Sequence, residues 1–213
     1  MNKKEKISII IEKLKNIYPD TRCTLDYDEA YKLLISVRLA AQCTDVRVNQ
    51  TVPDLFAAYP TIDALAIADV DAVESIIRPC GLGKSKAHDI VACMQMLRDI
   101  YNYHVPDTME ELLKLPGVGR KSANLILGDI YGKPAIVTDT HCIRLSNRLG
   151  LSKSTLPAKV EQDLRRIVPP SEGNALCHRF VDHGRAVCTA RNPHCDDCTL
   201  RDICSTPANT LPR

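Results

Sequence analysis

Apolar residues recur along the chain at helical spacing. Ile7, Ile10, Ile11, Leu14 and Ile17 mark one stripe, and Tyr31, Leu34, Ile35 and Leu39 mark the next. That period gathers side chains on one face of an α-helix. Thr61, Asp69 and Asp107 stand where helices should start, and Asp107 with Glu110 forms a D-x-x-E capping box. Pro53, Pro60, Pro79, Pro116, Pro134, Pro157, Pro169 and Pro170 punctuate the pattern. Helices of about ten residues joined by short turns follow. Ala135-Ile136-Val137 is the only strand-like run, and it is too short to make a sheet. The expected fold class is all-α.

Composition narrows the picture further. Hydrophobic residues are 45% and charged residues 25% of 213 positions, an ordinary globular balance with room for one large domain or two small ones. No apolar run approaches bilayer length. The run Ile9-Ile10-Ile11 near the N-terminus is cut at once by Glu12 and Lys13, so it does not read as a secretory signal. A cytoplasmic protein is expected. The 10 cysteines then argue for metal or cluster binding rather than disulfides. Trp is absent and aromatics are 4%, which argues against a platform that stacks single-stranded bases.

Charge is unevenly distributed. From Lys114 to Arg191 there are 13 Lys and Arg against 6 Asp and Glu, a surplus of +7, while the remainder has 15 against 20, or −5. A basic half suits a polyanionic partner, although a solvated surface would have the same composition.

The segment Leu115-Pro116-Gly117-Val118-Gly119-Arg120-Lys121 lies between two helical patterns. Two glycines around one apolar residue allow a tight turn, and the following helix would start with exposed amides. Those N–H groups and the positive end of the helix can hold a phosphate without reading a base. The alternative is a plain helix–helix turn. A second glycine-rich run, Gly81-Leu82-Gly83-Lys84-Ser85, resembles a nucleotide-binding P-loop only superficially, because Arg78 stands where that motif needs its first glycine.

Lys121 falls in the first turn of the helix after the hairpin, where the helix dipole and Arg120 oppose its charge. A lowered pKa and some free amine are expected, and a free amine can form a Schiff base with a sugar carbon. A surface lysine touching phosphate is the plainer reading. Asp139, just ahead of a helix expected from Cys142 to Leu149, suits an N-cap. It equally suits a carboxylate that stabilises positive charge developing on a sugar. Sequence spacing does not show whether the two residues meet.

Cys188, Cys195, Cys198 and Cys204 form C-x6-C-x2-C-x5-C. Four thiolates in one short segment can enclose one metal centre, and spacing alone does not separate zinc from a [4Fe–4S] cluster. Cys23, Cys43, Cys80, Cys93, Cys142 and Cys177 are scattered and read as small core residues. His141, His178 and His183 lie in the basic half and suit either phosphate contact or packing. Only a short Pro-containing tail follows Cys204, with nothing further appended expected.

LPGVGRKSAN at 115–124, VTDTHCIRLSNRLG at 137–150 and the cysteine tail together resemble the endonuclease III family, within the helix–hairpin–helix superfamily of DNA glycosylases. LLISVRLAAQCTDVRVN at 33–49 and CGLGKSKA at 80–87 share the resemblance, which runs from the first helix to Cys204. It implies two helical lobes with a DNA-binding cleft. One, residues 23–133, would be a six-helix barrel carrying the hairpin. The other, residues 1–22 and 134–213, would hold a [4Fe–4S] cluster.

The resemblance implies base-excision repair of oxidised pyrimidines in double-stranded DNA, by a monomer that is both glycosylase and abasic-site β-elimination lyase. Lys121 would be the nucleophile, Asp139 the catalytic carboxylate, and the four tail cysteines the cluster ligands. Gln42 and Leu82 would wedge into the duplex; otherwise they are a buried amide and a core leucine. Leu115, Gly117, Val118, Gly119, Arg120, His141 and Arg191 would contact DNA. An adenine-specific mismatch glycosylase, which normally lacks the lysine, and a non-catalytic DNA-binding module with a structural metal are the alternatives. Three positions depart from the family pattern. The cluster loop is poor in Lys and Arg apart from Arg191, Thr138 replaces an aliphatic residue, and Leu113 replaces an acid found in some members.

Overall fold

The computed structural model describes residues 1–206; the Pro-containing tail from 207 onward lies outside the described residues. Within them the chain forms eleven α-helices and three short 3-10 turns, and no strand. The all-α expectation holds. The chain packs into two units, one of residues 1–22 and 132–213, the other of residues 23–131.

The first unit begins with α1 (Lys3–Ile17), opened by a capping box in which Asn2 and Glu5 each satisfy the other's backbone amide. Ile7, Ile10, Ile11 and Leu14 are buried as the period predicts, whereas Ile17, the last residue of the helix, is exposed. The rest of the unit is α9 (Thr140–Arg148), α10 (Pro157–Arg165) and α11 (Gly173–Ala186). Polar side chains stitch α1 to this distant half. Lys3 Nζ donates to the Leu151 carbonyl at 2.7 Å, Lys13 pairs with Asp202 at 2.7 Å, and Arg179 Nε donates to the Tyr18 carbonyl at 3.2 Å. Helices α9 and α11 approach closely because Gly184 has no side chain. A Cβ there would lie 2.5 Å from His141 Nδ1.

The second unit contains α2 (Ala30–Leu39), α3 (Asp45–Ala58), α4 (Ile62–Ala66), α5 (Val70–Ile77), α6 (Gly83–Asp99), α7 (Met109–Leu112) and α8 (Arg120–Asp129). Helix α7 is a single turn leading into the hairpin, and the other six make up the body. Thr61 and Asp69 cap α4 and α5 as expected. The cap of α7 is Thr108, whose side chain accepts from the Glu111 amide, and not Asp107. The expected box was one residue out of register, because a hydroxyl and a carboxylate stood side by side and either can cap.

Pro53 also departs from expectation, lying inside α3 instead of ending it. The proline forfeits one backbone hydrogen bond. The helix nevertheless continues, because Val48, Val52 and Leu55 bury one face across the interruption. The expected start of the helix after Asp139 comes two residues early, at Thr140. No helix among the described residues is long and apolar enough to cross a membrane.

Candidate active site and metal centre

In the second unit the hairpin 115–119 forms as the glycines require, but the two glycines do different work. Gly117 has φ +74°, and a Cβ there would lie 2.7 Å from Arg38 Cδ. It is required twice over, by backbone conformation and by space. Arg38 is held beneath it by Asp89, at 2.6 Å. Gly119 has φ −98° and ψ 176°, which any residue adopts, and a Cβ there would meet nothing within 4 Å. Its missing side chain therefore matters only to a group approaching from outside. Gly119 is also the N-cap of α8, and no side chain caps that helix.

Gly117, Gly119, Arg120 and Lys121 are exposed and Val118 is half-buried. Leu115 is 2% exposed. Its side chain belongs to the core, so only its backbone is left to meet DNA. Its carbonyl already accepts from the Val118 amide at 3.1 Å, closing the hairpin. Lys121 projects from the first turn of α8. Burial pushes the nearby Cys23 thiol up to about 11, against the opposing pull of the Lys121 ammonium. Cys23 and Cys43 are half-buried, while Cys80, Cys93, Cys142 and Cys177 are core residues as expected.

Gln42 and Leu82 are neither a buried amide nor a core leucine. Both are exposed, Leu82 to 58%, and both have left-handed backbones, with φ +58° and +51°. A side chain other than glycine in that region costs about 1–2 kcal/mol. Exposing a large apolar group such as Leu82 adds nothing to stability.

In the first unit Asp139 is the N-cap of α9, and its carboxylate accepts from the Cys142 amide at 2.6 Å. The cap fixes the carboxylate's orientation while leaving it half-exposed. His141, two residues on, accepts at Nδ1 from Arg144 Nη2 at 3.0 Å. A guanidinium can only donate, so Nδ1 carries the lone pair and the ring proton lies on Nε2. His183 does not face a phosphate. It is buried against Tyr18 and lies 3.4 Å from Cys198 Sγ, and burial holds its pKa below the ordinary imidazole range.

The four tail cysteines line one cavity of about 280 Å³. Arg148 of α9 lines this cavity, and Arg144 of the same helix holds the backbone of one of its cysteines. Arg148 donates to Cys188 Sγ at 3.3 Å, to the Thr189 carbonyl at 2.7 Å and to the Ala190 carbonyl at 3.1 Å. Arg144 donates to the Cys188 carbonyl at 3.1 Å. Among the described residues no three His, Cys, Asp or Glu side chains are arranged to hold a single metal ion. Four sulfurs around a roomy cavity, with a guanidinium beside one of them, fit a larger anionic sulfur-ligated group. Arg191 is exposed at the turn of the same loop, whose shape is held by Thr189 Oγ1 donating to the Arg191 carbonyl. Arg144 and Arg148 were missed in the sequence. Their i, i+4 spacing on a helix was visible there, but not what they would grip.

Lys121 belongs to one unit and Asp139 to the other. Residues 35–170 match the profile of the HhH-GPD superfamily of base excision DNA repair proteins, and residues 188–204 match the iron–sulfur binding domain of endonuclease III. The cofactor is accordingly a [4Fe–4S] cluster. Over 204 residues the chain is 43% identical to endonuclease III of Synechocystis sp., covering 95% of this chain and 93% of that one. It is 36% identical to endonuclease III of Escherichia coli K12, with 96% of each chain covered. A solved trapped covalent intermediate of an endonuclease III with DNA superposes with a TM-score of 0.90 at 38% identity, covering 96% of this chain and 97% of that one. The chain therefore belongs to the endonuclease III family of DNA glycosylases and abasic-site lyases, within the HhH-GPD superfamily of base excision repair proteins.

Proposed function

We propose that the enzyme removes oxidised pyrimidines from duplex DNA and then cuts the strand at the abasic site, with Lys121 as nucleophile and Asp139 as its carboxylate partner. The target nucleotide leaves the stack, since its sugar carbon is inaccessible within a duplex. The Lys121 Nζ lone pair attacks C1′, and the glycosidic bond breaks with its electron pair leaving on the base. Asp139 stabilises the positive charge that develops on the sugar. Ring opening gives a Schiff base, which acidifies C2′. Loss of the C2′ proton expels the 3′ phosphate oxygen, and hydrolysis of the Schiff base frees Lys121.

The observation that carries this reading is an exposed lysine in the first turn of α8, directly after a hairpin whose helix no side chain caps. The amides hold the backbone phosphate while the amine reaches the sugar. The relative trapped as a covalent intermediate with DNA supports covalent chemistry here. Gln42 and Leu82 fill the gap left by the extruded nucleotide, and His141 and Arg191 add phosphate contacts. One chain supplies both the amine and the carboxylate, so the enzyme acts as a monomer. Its ten cysteines, none of them in a disulfide, support a reducing compartment, the cytoplasm, beside the DNA.

Borohydride reduces a Schiff base and should trap a covalent protein–DNA adduct on damaged duplex. Lys121→Ala should abolish trapping and strand cleavage yet still bind an abasic-site analogue. An adduct formed by this variant at the parent rate would assign the nucleophile elsewhere.

A further inference from the structure

Lys86, in the first turn of α6, is fully buried. Its Nζ donates to the Leu39 carbonyl at 2.8 Å and to the Cys80 carbonyl at 2.8 Å. Leu39 is the last residue of α2, and Cys80 is the last residue of the 3-10 turn Arg78–Cys80. Carbonyls at helix ends lack partners within the helix, and a cation there also meets the negative end of the dipole. One ammonium therefore ties off two helices at once.

The backbone that follows each of these carbonyls leads to an exposed tip within three residues. From Leu39 it runs to Gln42, and from Cys80 to Leu82, both exposed and both with left-handed φ. Stability alone does not explain the lysine. Burying an ammonium is costly, burial lowers the pKa of Lys86, and replacing a buried charge by a packed apolar side chain is often neutral or stabilising. What a methionine would not do is fix two carbonyls against each other.

We propose that Lys86 is a positioning residue for base extrusion, its single ammonium setting the separation of the two tips, Gln42 and Leu82, that enter the duplex. This rests on the assignment of those tips to the duplex, made above. The step it serves is mechanical, so its loss should fall on substrates that carry a base to extrude. An abasic site, with no base to unstack, should be spared.

The test compares Lys86→Met, Leu82→Ala, Gln42→Ala and the Lys86→Met/Leu82→Ala double variant, each as the cluster-loaded protein. One duplex carries an oxidised pyrimidine with 2-aminopurine opposite, and a second carries an abasic site. In Lys86→Met the fluorescence rise on mixing should shrink and single-turnover excision should slow roughly ten- to a hundredfold, the scale expected when reacting groups are misplaced by about an ångström. Cleavage of the abasic duplex and affinity for undamaged duplex should stay at parent levels. The double variant should be no worse than Leu82→Ala.

Equal slowing on both duplexes would reduce Lys86 to a structural role and overturn the proposal, as would parent behaviour on both. Parent-like fluorescence in Leu82→Ala and Gln42→Ala would instead overturn the assignment of the tips. Lys86→Gln, whose amide still donates to one carbonyl, guards against a misfolded methionine variant. It should show a smaller, equally selective defect, and parent behaviour would again overturn the proposal.

Discussion

Asp139 does two jobs with one side chain, and they can be separated. One carboxylate oxygen accepts from the Cys142 amide and so holds the side chain still. Its charge is what the proposed chemistry needs. Asn caps a helix nearly as well as Asp, so Asp139→Asn should leave the melting temperature within about a degree or two. Removing a well-placed charge from a transition state costs roughly 3–4 kcal/mol, so the same variant should lose a hundredfold or more in single-turnover excision. A large drop in melting temperature with an intact rate would make Asp139 chiefly structural. Gly117 and Gly119 make the complementary point. They read alike in the sequence, yet one is demanded by φ +74° and by Arg38, and the other only by whatever approaches the hairpin.

Two elements can meet the DNA backbone by the same physics from separate parts of the chain. The hairpin offers uncapped amides at the start of α8, and the cluster loop offers Arg191 at its turn. Neither contact would distinguish one base from another. Each neutralised phosphate releases counterions, so log affinity should fall linearly with log salt. Arg191→Ala should weaken damaged and undamaged duplexes alike and make that slope shallower by roughly one. Identical slopes in variant and parent would mean that Arg191 does not touch phosphate. The gripping of this loop by Arg144 and Arg148 makes α9 its support. The same helix carries Asp139 at its other end.

At the scale of the whole molecule, the cluster closes a segment with little regular structure of its own. From Cys188 onward the described residues hold a single 3-10 turn, Arg201–Ile203. The loop is otherwise fastened by the arginines of α9 and by Lys6 and Lys13 of α1. Loss of the cluster should therefore loosen this loop and its attachments before it melts any packed helix. Hydrogen exchange of protein stripped of iron should show lost protection across 188–206, with α2 to α8 unchanged. A uniform loss of protection across both units would show instead that the cluster supports the whole fold.

Much of this protein was legible in its sequence because the deciding physics is local. Helical period, capping residues, the hairpin glycines and the cysteine spacing each act over a few residues, so helices, hairpin and metal loop could be read directly. Local competition produced the errors. Thr108 capped instead of Asp107, and buried apolar neighbours carried α3 through Pro53. What only the tertiary structure decided concerns residues far apart in the chain. Leu115 turned inward and Leu82 outward, although both are leucines in glycine-rich turns. Lys86 stands two residues from Lys84 along the chain, yet it is buried and joins carbonyls 47 and 6 residues away. The cost of burying a charge or exposing a leucine depends on surroundings that folding assembles, and no period along the chain encodes them.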